Sequence, residues 1–197
     1  MRLGLFGGSF NPPHQAHLAL ARLARDHLGL DRLLWLPAGA PWQKPAGQLA
    51  PGEHRAAMVQ ALIRDEPGFE LDTRELRRQG PSYTLDTVLT LAAERPGAEL
   101  WLIIGQDQLA RLHTWHRAAE LVDRVHLAVA AREGQSPQAD PLLPIPRFPV
   151  VALPLPRTDL SATQIREELA EGRSVIDLVG PAVAHYLDQH GLYRRRA

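Results

Sequence analysis

The sequence predicts an α/β fold, a Rossmann-like doubly wound parallel sheet with a helical C-terminal part. Three observations carry that prediction. Residues 2–6, 32–36, 100–104 and 125–130 are short runs that stay apolar instead of alternating, the pattern of strands covered on both faces. Stretches with apolar residues at helical spacing separate them, and the alternation continues along the chain with no internal repeat. The length, 197 residues, suits one domain, with residues from about 158 to 197 as a helical extension.

Residues 2–6 form the first strand, and Gly7-Gly8 breaks it where a backbone turns or approaches something closely. Asn11 before Pro12 and Pro13 reads as a helix start, since asparagine caps free amides and proline tolerates the first turn. The helix runs through Leu18, Leu20, Ala21, Leu23, Ala24 and Leu28 and stops at Gly29. Pro37 ends the second strand, 32–36, and opens a loop over 37–52 broken by Pro41, Pro45 and Pro51. Strong helix formers fill 53–65, and 69–71 is a short strand. A charged, irregular segment over 72–83 contains the Gly80-Pro81 turn and leads to a helix over 84–95. The strand at 100–104 is followed at once by Gly105-Gln106-Asp107, and short helical pieces surround Trp115. After the strand at 125–130, a proline-rich connector over 132–149 reaches a late or edge strand at 150–153. Ser161 and Gln164 make a capping-box pattern, and the last helix spans 181–190.

Lys plus Arg equals Asp plus Glu at 22 each, so neither nucleic acid nor a membrane is expected as a bulk electrostatic partner. Arg194-Arg195-Arg196 reads as a solvated basic end. The absence of cysteine excludes disulfides, thiolate metal sites and thiol nucleophiles. No apolar stretch reaches the roughly 18 residues of a membrane span, and the N-terminus lacks a secretory pattern. A cytoplasmic protein is expected.

The chemistry gathers at the end of the first strand. His14 and His17 are three apart, so on a helix or its opening turn both imidazoles face one way, beside the Gly7-Gly8 amides. That place suits an anion, because ligands favour the carboxyl ends of parallel strands. Lys44 follows the second strand, and Ser161 opens a helix whose free amides, with Arg166 one turn on, form an anion cradle. Neither a G-x-G-x-x-G fingerprint nor a G-x-x-x-x-G-K-[ST] loop occurs, which argues against a dinucleotide dehydrogenase and a P-loop enzyme. The remaining set fits a triphosphate, and no cluster with metal-ligand spacing accompanies it.

Residues 7–17 (Gly-Gly-Ser-Phe-Asn-Pro-Pro-His-Gln-Ala-His) resemble the phosphate-binding signature of the nucleotidylyltransferase superfamily, with Ala16 where most members carry glycine. Later stretches resemble the bacterial nicotinate mononucleotide adenylyltransferases, and with them the likeness spans nearly the whole chain. They are Gly80-Pro81-Ser82-Tyr83-Thr84-Leu85-Asp86-Thr87, Ile104-Gly105-Gln106-Asp107, the Leu112-to-Trp115 pair, and Leu160-Ser161-Ala162-Thr163-Gln164-Ile165-Arg166, where Ala162 replaces a serine. The resemblance implies that His14, His17, Lys44 and Arg166 act on the transferred phosphates. It assigns ATP to Gly7, Gly8, Ser9, Phe10, Gly105, Asp107, Ser161 and Thr163. Tyr83 and Thr84 would line the nicotinate pocket, with Trp115 stacked on the pyridine ring. The implied reaction moves the adenylyl group of ATP onto nicotinate mononucleotide, with Mg2+ carried on the triphosphate. Two other readings stay open: a nucleotidylyltransferase with another acceptor, such as the pantetheine-phosphate type, and a non-catalytic nucleotide sensor of the same fold.

Overall fold

The computed structural model describes residues 1–39, 49–132, 135–156 and 159–194. Six strands, β1 (Arg2–Gly8), β2 (Arg32–Pro37), β3 (Phe69–Leu71), β4 (Glu99–Gly105), β5 (His126–Arg132) and β6 (Val151–Leu155), form one sheet. Their order is β3-β2-β1-β4-β5-β6 and every pairing is parallel. The chain therefore winds outward from β1 through β2 to β3, then returns to the other side of β1 and winds out again. This is the doubly wound arrangement, with its topological switch between β1 and β4.

Parallel strands need long crossovers, and helices supply them. The helices are α1 (Gln15–Leu28), α2 (Gly52–Ile63), α3 (Arg74–Arg77), α4 (Thr84–Glu94), α5 (Gln106–Leu109) and α6 (Ala118–Arg124). Three more, α7 (Ala162–Ala170), α8 (Ile176–Val179) and α9 (Pro181–His190), follow the sheet. Leu33 and Trp35 of β2 pack with Leu18, Ala21, Val59 and Ile63 of α1 and α2. Their neighbours Leu34 and Leu36 point the other way, into a cluster with Leu85, Val88 and Leu91 of α4 and Leu121 of α6. The four central strands β1, β2, β4 and β5 thus bury both faces, which is why their apolar runs do not alternate.

The last three helices have their own core of Ile165, Leu169, Val175, Val179, Val183 and Leu187, and Met58 of α2 is buried in it. Burying a side chain of that size contributes roughly 1.5–3 kcal/mol. These contacts seat α7 beside the end of β1, where the site lies. No helix among the described residues is long and apolar enough to cross a membrane.

Three expectations change. The segment 72–83 holds the short helix α3, started by Asp72, whose carboxylate accepts the Arg74 N–H at 2.9 Å and Arg74 Nε at 2.7 Å. A polar turn of this kind leaves no apolar periodicity to read. Asn11 does not cap α1: the cap is His14, and Asn11 lies buried before a cis Pro12. At α7 the Ser161 hydroxyl accepts the Gln164 N–H at 3.2 Å, but the return bond from the Gln164 side chain is not formed. Lys44 and the rest of 40–48 lie outside the described residues.

Candidate active site

The carboxyl ends of β1 and β4, on the two sides of the switch, carry Gly7 and Gly105. Neither glycine is there for its backbone angles, because neither has a positive φ. Nor does protein crowd them: a Cβ at Gly7 would find only the Leu36 carbonyl at 4.0 Å, and one at Gly105 nothing within 4 Å. The space at Gly7 is part of a cleft of about 240 Å³, whereas Gly105 lies just past the β4 residues that line it. The cleft runs from Gly7, Gly8 and Ser9 to Tyr83, Thr84 and Trp115.

The two histidines open α1 beside the loop that leaves β1, and neither is among the residues that line the cleft. The His14 backbone N–H donates to His17 Nδ1 at 3.2 Å, so that nitrogen carries no proton and the His17 proton sits on Nε2 as a donor. The rings lie 3.7 Å apart between centroids. Burial lowers the His14 pKa to about 4, so its imidazole is neutral at pH 7, and its Nδ1 has no hydrogen-bond partner among the described residues. A neutral imidazole can still donate to phosphate oxygen, and an arriving phosphate would favour its protonation.

Phe10 adopts a left-handed backbone, φ 46°, unfavourable for a residue with a Cβ by roughly 1–2 kcal/mol. Its ring is held among Phe6, His17 and Trp35, with centroids 5.6, 5.2 and 5.2 Å away. At 1% exposure the ring is unable to face a ligand, so any contact from Phe10 is through its backbone. Asn11 is a hub: its Oδ1 accepts from the Ala50 N–H at 2.9 Å and the Tyr193 hydroxyl at 2.6 Å. Arg166 Nη1 donates to the Asn11 carbonyl at 2.9 Å and Nη2 to Thr163 Oγ1 at 3.1 Å. Arg166 is therefore already a strut of the loop, with part of its fork committed.

At the other end of the cleft, Tyr83 is the N-cap residue of α4 and Thr84 its first helical residue. The Asp86 N–H bonds back to the Tyr83 carbonyl at 3.1 Å, which leaves the Thr84 and Leu85 amides without an intrahelical partner. Tyr83 stacks on His116 at 4.2 Å and 20°, and half-buried Trp115 packs against the core beneath α4 and α6. Behind them Glu75, 8% exposed, accepts from Thr87 Oγ1 at 2.9 Å. Arg78 Nη1 donates to Ser82 Oγ at 2.9 Å and to Thr87 Oγ1 at 3.3 Å. Burial pushes the Glu75 carboxyl above its ordinary range, against the hydrogen bond from Thr87 and the charge of Arg78.

Gly7, Gly8, Ser9, Tyr83, Thr84 and Trp115 thus share one cleft. Asp107 sits exposed in the four-residue α5, and Ser161 and Thr163 are exposed at the start of α7. Sequence reasoning missed Glu75, His116 and Gln108, which also line the cleft. Gln108 Oε1 accepts the Gly105 N–H at 3.1 Å, fixing the end of β4. The signal for Gln108 and His116 was adjacency to Gly105-Gln106-Asp107 and to Trp115. Glu75 offered none, as one charge among many.

A Rossmann-like sheet with a glycine-edged cleft at its switch point, flanked by imidazoles and helix amides, defines a nucleotide-binding protein of the nucleotidyl-transfer class. Residues 5–168 match the cytidylyltransferase-like family. The chain is 49% identical over 196 residues to the probable nicotinate-nucleotide adenylyltransferase of Methylibium petroleiphilum, covering 98% of this chain and 92% of that one. It is 44% identical over 200 residues to the protein of that name from Gloeobacter violaceus, covering 98% and 96%. In fold it is similar to Plasmodium falciparum nicotinic acid mononucleotide adenylyltransferase complexed with NaAD, with a TM-score of 0.77 at 18% identity, covering 98% and 97%. The chain belongs to the nicotinate-nucleotide adenylyltransferases of the cytidylyltransferase-like family.

Proposed function

We propose that this chain transfers the adenylyl group of ATP to nicotinate mononucleotide, giving nicotinate adenine dinucleotide and pyrophosphate, as a single-domain cytoplasmic enzyme. The observation that carries this reading is the single cleft that joins Gly7, Gly8 and Ser9 to the free Thr84 and Leu85 amides and Trp115. One end suits a triphosphate and the other an aromatic acid. A phosphate oxygen of the acceptor attacks the α-phosphorus of ATP; a P–O bond forms as the bond to the β-phosphate oxygen breaks, and that electron pair leaves with pyrophosphate. The acceptor phosphate is largely a dianion at neutral pH, its second pKa being about 6, so no general base has to act.

The protein's contribution is then position and charge stabilisation. In this reading the Gly7 and Gly8 amides, His14 and the His17 Nε2–H meet the phosphates, and Arg166 holds the loop that presents them. Lys44, which follows β2 in the sequence, is assigned to the same phosphates. The acceptor's carboxylate meets the amides at the start of α4, and Trp115 stacks on its ring. Magnesium is part of the ATP substrate, carried on the triphosphate oxygens.

The test is pyrophosphate release from ATP and magnesium with nicotinate mononucleotide, phosphopantetheine or no acceptor. Release only with nicotinate mononucleotide is expected. Release with phosphopantetheine alone would assign another acceptor, and ATP binding without release would leave a nucleotide sensor.

A further inference from the structure

The residues after α9 have no part in the reaction just described, yet one reaches the loop that leaves β1. After α9 the chain turns at Gly191, and Leu192 N–H bonds back to the Leu187 carbonyl at 3.1 Å. Tyr193 then takes a left-handed backbone, φ 62°, which residues with a Cβ adopt only when something holds them there. Its hydroxyl lies 2.6 Å from Asn11 Oδ1, a contact spanning 182 residues. Asn11 Oδ1 also accepts the Ala50 N–H, so the oxygen is the acceptor of both bonds and the phenol is the donor.

The surroundings fix that role. Burial raises the phenol's pKa above its ordinary value, although the Arg166 and Arg55 guanidiniums nearby act the other way, so it stays protonated and able to donate. Arg55, 3% exposed, donates through Nη1 to the Ser9 carbonyl at 2.9 Å and through Nε to the Ala50 carbonyl at 3.0 Å. Arg166 takes the Asn11 carbonyl. Because a peptide unit is planar, a carbonyl held on one side sends the next N–H to the other. The Phe10 amide is thereby directed away from Arg55.

We propose that Tyr193 is a positioning residue for the phosphate-binding loop: its hydroxyl completes the set of bonds that holds residues 9–11 in their strained course beside Gly7 and Gly8. This rests on the reading that those residues meet the triphosphate. The loop lacks helical or sheet bonds of its own over 9–13, and Phe10 disfavours its own backbone angles. Removing one strut lets the loop relax without unfolding the sheet.

The experiment compares the intact chain with Tyr193→Phe, which keeps the ring and removes only the oxygen. Binding of ATP with magnesium, and separately of nicotinate mononucleotide, is measured by calorimetry, with thermal melting of both proteins recorded. Tyr193→Phe is expected to weaken ATP about three- to tenfold, the scale of one hydrogen bond, and to leave nicotinate mononucleotide within twofold. Unchanged ATP affinity would overturn the proposal, and so would equal weakening of both ligands, which would make Tyr193 a general packing residue. An intact chain that binds no ATP would instead overturn the functional reading beneath it.

Discussion

The two ends of the cleft are built on opposite plans. At the phosphate end, a loop is held from afar: the bonds to residues 9–11 come from Ala50, Arg55, Arg166 and Tyr193, separated by 39, 46, 155 and 182 residues. At the acceptor end, side chains are held from nearby. Arg78 to Ser82, Arg78 to Thr87 and Thr87 to Glu75 span 4, 9 and 12 residues. Long-range bonds form only when the whole chain has folded, so the phosphate end shares the stability of the fold. The acceptor end depends on one segment packed against Trp115 and His116, where a local change alters one substrate and leaves the other alone.

The largest expected effect lies at the phosphate end. His14→Ala or His17→Ala should lower kcat by roughly 10²–10³, the scale for losing one transition-state donor, while the KM for nicotinate mononucleotide stays near its normal value. Steady-state kinetics with each substrate varied in turn provides the check. Normal turnover in either variant would remove the histidines from the chemistry. A parallel rise in the acceptor KM would erase the division between the two ends.

The same histidine gives the phosphate end a pH dependence. Burial holds His14 at a pKa of about 4, against 6.5 for a free imidazole. Between those values the unfolded chain carries a proton that the folded chain excludes, so stability rises with pH in that window. His14's share is fully present above about pH 6.5 and lost by about pH 4, a change of about 3 kcal/mol. Urea unfolding across pH 4–7 should show this slope, and His14→Gln, which has no proton to gain there, should flatten it. An identical slope in the variant would place the acid sensitivity elsewhere.

A smaller effect is expected from Glu75→Gln. It keeps the shape of the side chain but removes the charge that faces Arg78 behind Ser82, Tyr83 and Thr84. The acceptor KM should rise about three- to tenfold with the ATP KM unchanged. A shift confined to the ATP KM would show that the acceptor end is not locally supported.

The contrast between the ends also explains what the sequence could tell. Gly7-Gly8 and the His14–His17 spacing are local patterns tied to the end of a strand, so the phosphate site was legible. Its struts were not, because a hydrogen bond between Asn11 and Tyr193 leaves no trace in the spacing of either. Asn11 was misread for the same reason: before a proline it has the composition of a cap, while its side chain is spent on Ala50 and Tyr193. The four central strands were legible because both their faces are buried, whereas α3 was hidden because an Asp72–Arg74 pair starts it instead of an apolar face. At the acceptor end Tyr83, Thr84 and Trp115 were identified through resemblance to a family, since a tyrosine before a helix and a half-buried tryptophan are ordinary core features without it.

The central claim is that the cleft joins a triphosphate end to an end that recognises an acid, and acceptor choice tests it most directly. The Thr84 and Leu85 amides at the start of α4 can donate to a carboxylate, and the positive end of the helix favours its charge. A carboxamide brings no charge and turns an NH₂ toward donors, leaving buried groups unpaired at about 1–3 kcal/mol each. At about 1.4 kcal/mol per tenfold, one or two such mismatches amount to roughly ten- to ten-thousand-fold. The measurement is kcat/KM with nicotinate mononucleotide and with nicotinamide mononucleotide on the same enzyme. A preference for the acid within that range is expected, and equal values or a preference for the amide would contradict the claim.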